Sequence, residues 1–169
     1  MKLKTCEVIF ESIQFKTKMM KPVLSMILLV IALSAKVVGQ DSSIFPKGEI
    51  STTDNHTGTI WLNELNKPDS IFNYSIAVAT YAAGAKLDWH IHPSGQTLLI
   101  TEGTGYYEEK GKPAQIVHKG DVITCLPGVA HWHGAAPGST FAYIAVTPTT
   151  KGKTIWLQRV TDAEYNAVK

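Results

Sequence analysis

Along most of the chain, apolar positions return every second residue in short runs, not every third or fourth. Tyr74-Ser75-Ile76-Ala77-Val78-Ala79-Thr80-Tyr81 sets Tyr74, Ile76 and Val78 on one face and the small residues on the other. Comparable runs rich in Ile, Val, Tyr, Phe and Trp cover 59–62, 87–92, 97–101, 105–109, 114–118, 122–126, 131–133, 141–146 and 154–159, separated by glycine-containing breaks. Strands at this spacing predict an all-β sandwich or barrel over residues 57–160. The polar stretch 40–56 reads as an N-terminal arm. Gly103-Thr104-Gly105 has no continuing glycine pattern and no following helix, and reads as a tight hairpin. Helical spacing is confined to the C-terminal segment 161–169, where Thr161-Asp162-Ala163-Glu164 has the form of a capping box and predicts a short helix from Asp162 to Val168.

The first 39 residues follow a different pattern. Lys21, an apolar run from Val23 to Leu33, and Val37 and Gly39 ahead of Gln40 have the layout of a secretory signal peptide with an N-terminal extension. The run is too short for a bilayer span, which needs about 20 residues. A secreted or periplasmic protein is the expectation. Cleavage would remove six of 16 basic and two of 14 acidic side chains, turning a net charge of +2 into ten bases against twelve acids. A mildly acidic mature chain offers no basis for binding nucleic acid or an anionic membrane. Cys125 would then stand alone, read as a small core residue.

One pattern within the strands carries chemistry. His90 and His92 stand at i and i+2, so both imidazoles project from one face of a strand. Pro93-Ser94-Gly95 turns the chain, and Gln96 opens the next strand, able to come back to the same point. His131 and His133 repeat the spacing about forty residues on, each pair beside a tryptophan. Two such pairs point to a metal site, with the third imidazole drawn from His131 or His133.

These residues resemble the motifs of the cupin superfamily. Gly84, His90, His92, Gln96 and Gly103 match the spacing of its first motif, with Gln in the place of Glu; Gly120, Gly128 and His131 match the second, with Leu126 and Ala135 departing from it. The resemblance covers about residues 61–148. It implies a double-stranded β-helix, the jelly-roll barrel, with a metal held by His90, His92, Gln96 and His131. It leaves His133 to back a ligand or face substrate. No thiolate is present, and three imidazoles with an amide oxygen leave the charge of a divalent ion uncompensated, as suits a Lewis acid. Mn2+ or Fe2+ is the first choice, ahead of Zn2+, Ni2+ or Co2+.

The run from His90 to Gly103 with His131 to Ala135 is similar to small single-domain bacterial cupins, the carboxymuconolactone-decarboxylase-associated group that includes manganese-dependent hydroxynitrile lyases. That likeness implies a lyase acting on a small hydroxy or oxo compound, with His133 and Tyr143 moving protons. Tyr143 stands where those lyases carry a histidine, and a phenol is a weaker base. A quercetinase-like dioxygenase and a non-catalytic metal- or ligand-binding protein of the cell envelope are the alternatives. The pocket wall is sought among Tyr74, Ile76, Val78, Trp89, Trp132 and Tyr143, although aromatics in such positions are more often core residues than substrate contacts, and Thr59–Leu62 is the segment through which two copies would pair.

Overall fold

In a computed structural model that describes residues 43–168, the two-residue alternation becomes twelve strands and one short helix among the described residues. The expected leader lies outside them. The strands are β1 (Glu49–Ile50), β2 (His56–Thr57), β3 (Ile60–Asn66), β4 (Tyr74–Tyr81), β5 (Lys86–Leu87), β6 (His90–Ile91), β7 (Gln96–Glu109), β8 (Gln115–His118), β9 (Val122–Cys125), β10 (Ala130–Ala135), β11 (Phe141–Pro148) and β12 (Ile155–Trp156). Helix α1 (Asp162–Asn166) follows, with both hydrogen bonds of the capping box formed between Thr161 and Glu164. No described helix is long and apolar enough to cross a membrane.

All pairings are antiparallel, and the strands curl into a jelly-roll barrel. One sheet runs β1-β3-β4-β11-β7, with β9 on the start of β7. The other takes the second half of β7 with β8 and β10, then β5, β6, β2 and β12. Strand β7 therefore serves both sheets, pairing with β11 as far as Gly103 and with β10 from Gly105. The predicted hairpin at Gly103-Thr104-Gly105 is instead the corner where this one strand changes sheets. Only glycine fits there: Gly103 has positive φ and a Cβ would collide with the Thr140 carbonyl, while one on Gly105 would strike the Phe141 ring.

Alternation along β4 sends Ser75, Ala77, Ala79 and Tyr81 inward, opposite Thr147, Ala145, Tyr143 and Phe141 of β11. Tyr74, Ile76 and Val78 occupy the outer face, so the larger side chains do not line the pocket as expected. Bulk is needed inside only at one end, where Ile60, Tyr81 and Phe141 are at most 1% exposed; each such side chain contributes about 1.5–3 kcal/mol of burial. The segment expected as an arm supplies β1 and β2, and Thr59–Leu62 falls largely within β3, between β1 and β4.

A second core lies outside the other sheet. Because Trp89 and Trp132 alternate with the histidines, they point away from the barrel interior, and Tyr165 of α1 and Val160 of the segment leading into it cover them. Trp89 Nε1 donates to Glu164 at 3.3 Å, Trp132 Nε1 to Glu108 at 3.0 Å, and the Tyr165 hydroxyl to the Ala135 carbonyl at 2.6 Å. Neither tryptophan reaches the cavity; both are core residues whose indole N–H groups find carboxylate partners on the outer face.

Candidate metal centre

Strand β6 holds His90 inward and ends one residue later, so His92 stands at the start of the turn into β7. Gly95 closes that turn with a backbone bond to the His92 carbonyl at 3.0 Å, delivering Gln96 as the first residue of β7. Strand β10 runs antiparallel to β6 and places His131 directly across from His90. The result is a group of three buried imidazoles whose ligand atoms lie within 4.8 Å of one another.

The ring orientations follow from the backbone. His90 Nδ1 lies 2.8 Å from the Asp88 carbonyl and His131 Nδ1 3.0 Å from that of Val129, in each case two residues back. A carbonyl only accepts, so each Nδ1 carries the proton and Nε2 keeps its lone pair. His92 Nδ1 meets the Thr154 hydroxyl at 3.1 Å, and the Nε2 atoms of His92 and His131 are buried with no partner. An unpartnered buried polar atom costs about 1–3 kcal/mol. Burial pushes all three imidazoles below their ordinary range, His92 to about 4, aided by mutual repulsion at His90 and His92. Neutral, oriented nitrogen donors converging in this way fit a divalent metal ion.

Gln96 lines the same cavity and is 9% exposed. Its Nε2 lies 2.8 Å from Thr147 Oγ1 and its Oε1 4.0 Å from Cys125 Sγ, so the side-chain amide is held by partners on two other strands. His133, next inward on β10, is buried yet stands outside the three-histidine group. Its Nδ1 lies 3.3 Å from the Tyr143 hydroxyl, which in turn lies 2.5 Å from that of Tyr81. Burial holds His133 neutral and raises both phenols well above their ordinary range, so they stay protonated.

The cavity above these groups has a volume of about 250 Å3. His133, Tyr143 and Tyr81 line it along with His90, His92 and Gln96, whereas His131 sits behind. Its remaining walls are small or apolar, with Ile60, Leu62, Ala77, Ala79 and Ala145 on one side. Trp156 closes the other side, its ring 4.9 Å from that of His90. Of the expected wall, only Tyr143 is there. Sequence reasoning missed Thr147, Thr154 and Tyr81, since each meets its partner across strands and no local motif marks it. The carbonyls of Asp88 and Val129 were legible in principle, because both stand two residues before a histidine on a strand.

The chain matches the Cupin_2 family model, described as "Cupin domain", over residues 77–147. It is 37% identical over 110 residues to the (R)-mandelonitrile lyase of Granulicella tundricola, covering 64% of this chain and 84% of that protein. Among solved structures, a cupin-like protein from Thermotoga maritima superposes with a TM-score of 0.72 at 39% identity, over 75% of this chain and 98% of that one. The DMSP lyase DddQ of Ruegeria pomeroyi shares the fold at a TM-score of 0.52 and 16% identity, over 61% and 54% of the two chains.

Proposed function

The chain belongs to the cupin superfamily, and on that premise we propose that it is a metal-dependent lyase, cleaving or rearranging a small hydroxy or oxo compound in the manner of a hydroxynitrile lyase. The observation that carries this reading is the juxtaposition, on one cavity, of unpartnered histidine nitrogens and a separate neutral histidine backed by two phenols. His90, His92, Gln96 and His131 would hold the ion, with Mn2+ the first choice. When bound, a divalent ion there supplies Lewis-acid stabilisation of an oxygen that gains negative charge.

The chain's own residues handle the proton. His133 is neutral, and its Nε2 has no partner, so it can accept a proton from a substrate hydroxyl. When it does, Nδ1–H donates to Tyr143, whose hydroxyl passes its own hydrogen bond to Tyr81. The phenols thereby orient the imidazole and spread the charge it gains, which offsets part of the shift in basicity that burial imposes. The apolar part of the wall suits a substrate with one polar end and a compact hydrocarbon body. The 37% identity to a mandelonitrile lyase supports this class. A secreted or periplasmic location belongs to the same reading, on the strength of the leader pattern.

The test is turnover by the manganese-loaded protein on a panel of small hydroxynitriles and oxo acids under argon. Release of carbonyl product without oxygen is the expected result. Turnover that appears only in air would overturn the lyase reading in favour of an oxygenase.

A further inference from the structure

Beside His131, on the side away from the cavity, lies a buried carboxylate that the proposed chemistry does not use. Glu109, the last residue of β7, stands directly across from His131 of β10. Alternation puts Tyr107 and Glu109 on the inner face with His131 and His133, while Glu108 faces outward and receives the Trp132 N–H. Glu109 is only 8% exposed. Tyr107 donates its hydroxyl to Oε1 at 3.2 Å, and the Tyr107 ring lies 5.8 Å from that of His131. The Tyr107 hydroxyl also meets Cys125, whose Sγ is 4.0 Å from Gln96 Oε1. Glu109, Tyr107, Cys125 and Gln96 thus form one buried row, with Glu109 across the strands from His131.

Lys112 pairs with Glu109 from outside, but its side chain is 58% exposed. That pair is the largest influence holding the Glu109 carboxyl below its ordinary range, and it meets the carboxylate only from the solvent side. Burying a carboxylate is costly unless a positive charge sits nearby. Three neutral imidazoles and an amide leave both charges of a divalent ion uncompensated, and the low-polarity interior carries that field to Glu109.

We infer that Glu109 is a positioning residue of the metal centre, supplying from behind His131 the negative charge that Gln96 does not bring to the ligand set. The inference rests on the metal-binding reading above. Its test is Mn2+ titration of the metal-free wild type, Glu109→Gln and Lys112→Met against a chelating indicator, with thermal unfolding of each metal-free protein alongside. Glu109→Gln keeps an acceptor for Tyr107 and is expected to weaken Mn2+ binding by about ten- to hundredfold. Lys112→Met removes a competing positive charge and is expected to tighten it by about two- to fivefold. A merely structural ion pair would shift both variants the same way, because either substitution breaks it. Glu109→Gln binding within twofold of wild type, or Lys112→Met binding more weakly, overturns the inference while leaving the metal centre standing. A wild type that binds no Mn2+ overturns both. Should Glu109→Gln fail to fold, the direction of the Lys112→Met shift decides the matter.

Discussion

The two His-x-His pairs share a spacing and an outward tryptophan, yet the fold arranges them differently. His90 and His92 both join the metal cluster, whereas the second pair divides: His131 joins it and His133 turns to Tyr143. The difference lies in where each strand ends. β6 stops at Ile91, so His92 leaves the strand, and its ring nitrogen gathers with those of His90 and His131. β10 continues to Ala135, so His131 and His133 stay parallel, 5.9 Å apart, one row from each other along the barrel. Spacing determines which face a side chain takes; strand length and the cross-strand partner determine its role.

That division predicts a graded set of outcomes. The largest contrast is between His131→Ala and His133→Ala. The first is expected to lose nearly all bound metal, and the second to keep it while turnover falls by about 10^2–10^4; metal content and turnover of both variants measure this directly. A His133→Ala protein without metal would erase the distinction between the pairs.

Next comes the hydrogen bond that orients His92. Thr154→Val is expected to weaken metal binding by about tenfold, since outer hydrogen-bond partners of metal ligands commonly carry that much. Tyr143→Phe should leave metal affinity unchanged and lower turnover by about five- to tenfold, the worth of one hydrogen bond to the base. Equal losses of affinity in the two variants would show that the pairs are not separate devices.

The smallest effect is on stability. The buried histidines have folded-state values below their unfolded one of about 6.5, with His92 near 4. Between these values the unfolded chain binds more protons, so stability of the metal-free protein rises with pH across that window and falls on acidification. Its Tm is expected to drop by about 5 °C or more from pH 7 to pH 4.5, and His92→Gln should flatten the slope. A Tm independent of pH in that range would mean the imidazoles are not held neutral by burial.

Much of this molecule was legible in one dimension. The two-residue period identified the barrel strands, the Thr161–Glu164 box located the helix, and the paired histidines with Gln96 named the residues that gather at the cavity. These features are local: they depend on alternation, on a cap, or on side chains two residues apart. Where the alternation was ambiguous, local reasoning could not choose, and left Trp89, Trp132 and the bulky face of β4 among the candidates for the pocket wall. Both faces of these strands are partly buried, one by the barrel and the other by α1 or neighbouring strands, so hydrophobicity alone could not say which is inside.

Only the tertiary structure decided which imidazoles gather and which meets a phenol, and what orients each. Thr147 reaches Gln96, Thr154 reaches His92, Tyr81 backs Tyr143, and Glu109 lies against His131, over separations in sequence from 22 to 62 residues. A strand's sequence determines its two faces. Its register against a partner tens of residues away is set by how the whole barrel closes, and that closure turned four similar histidines into three whose nitrogens gather and one that meets a phenol.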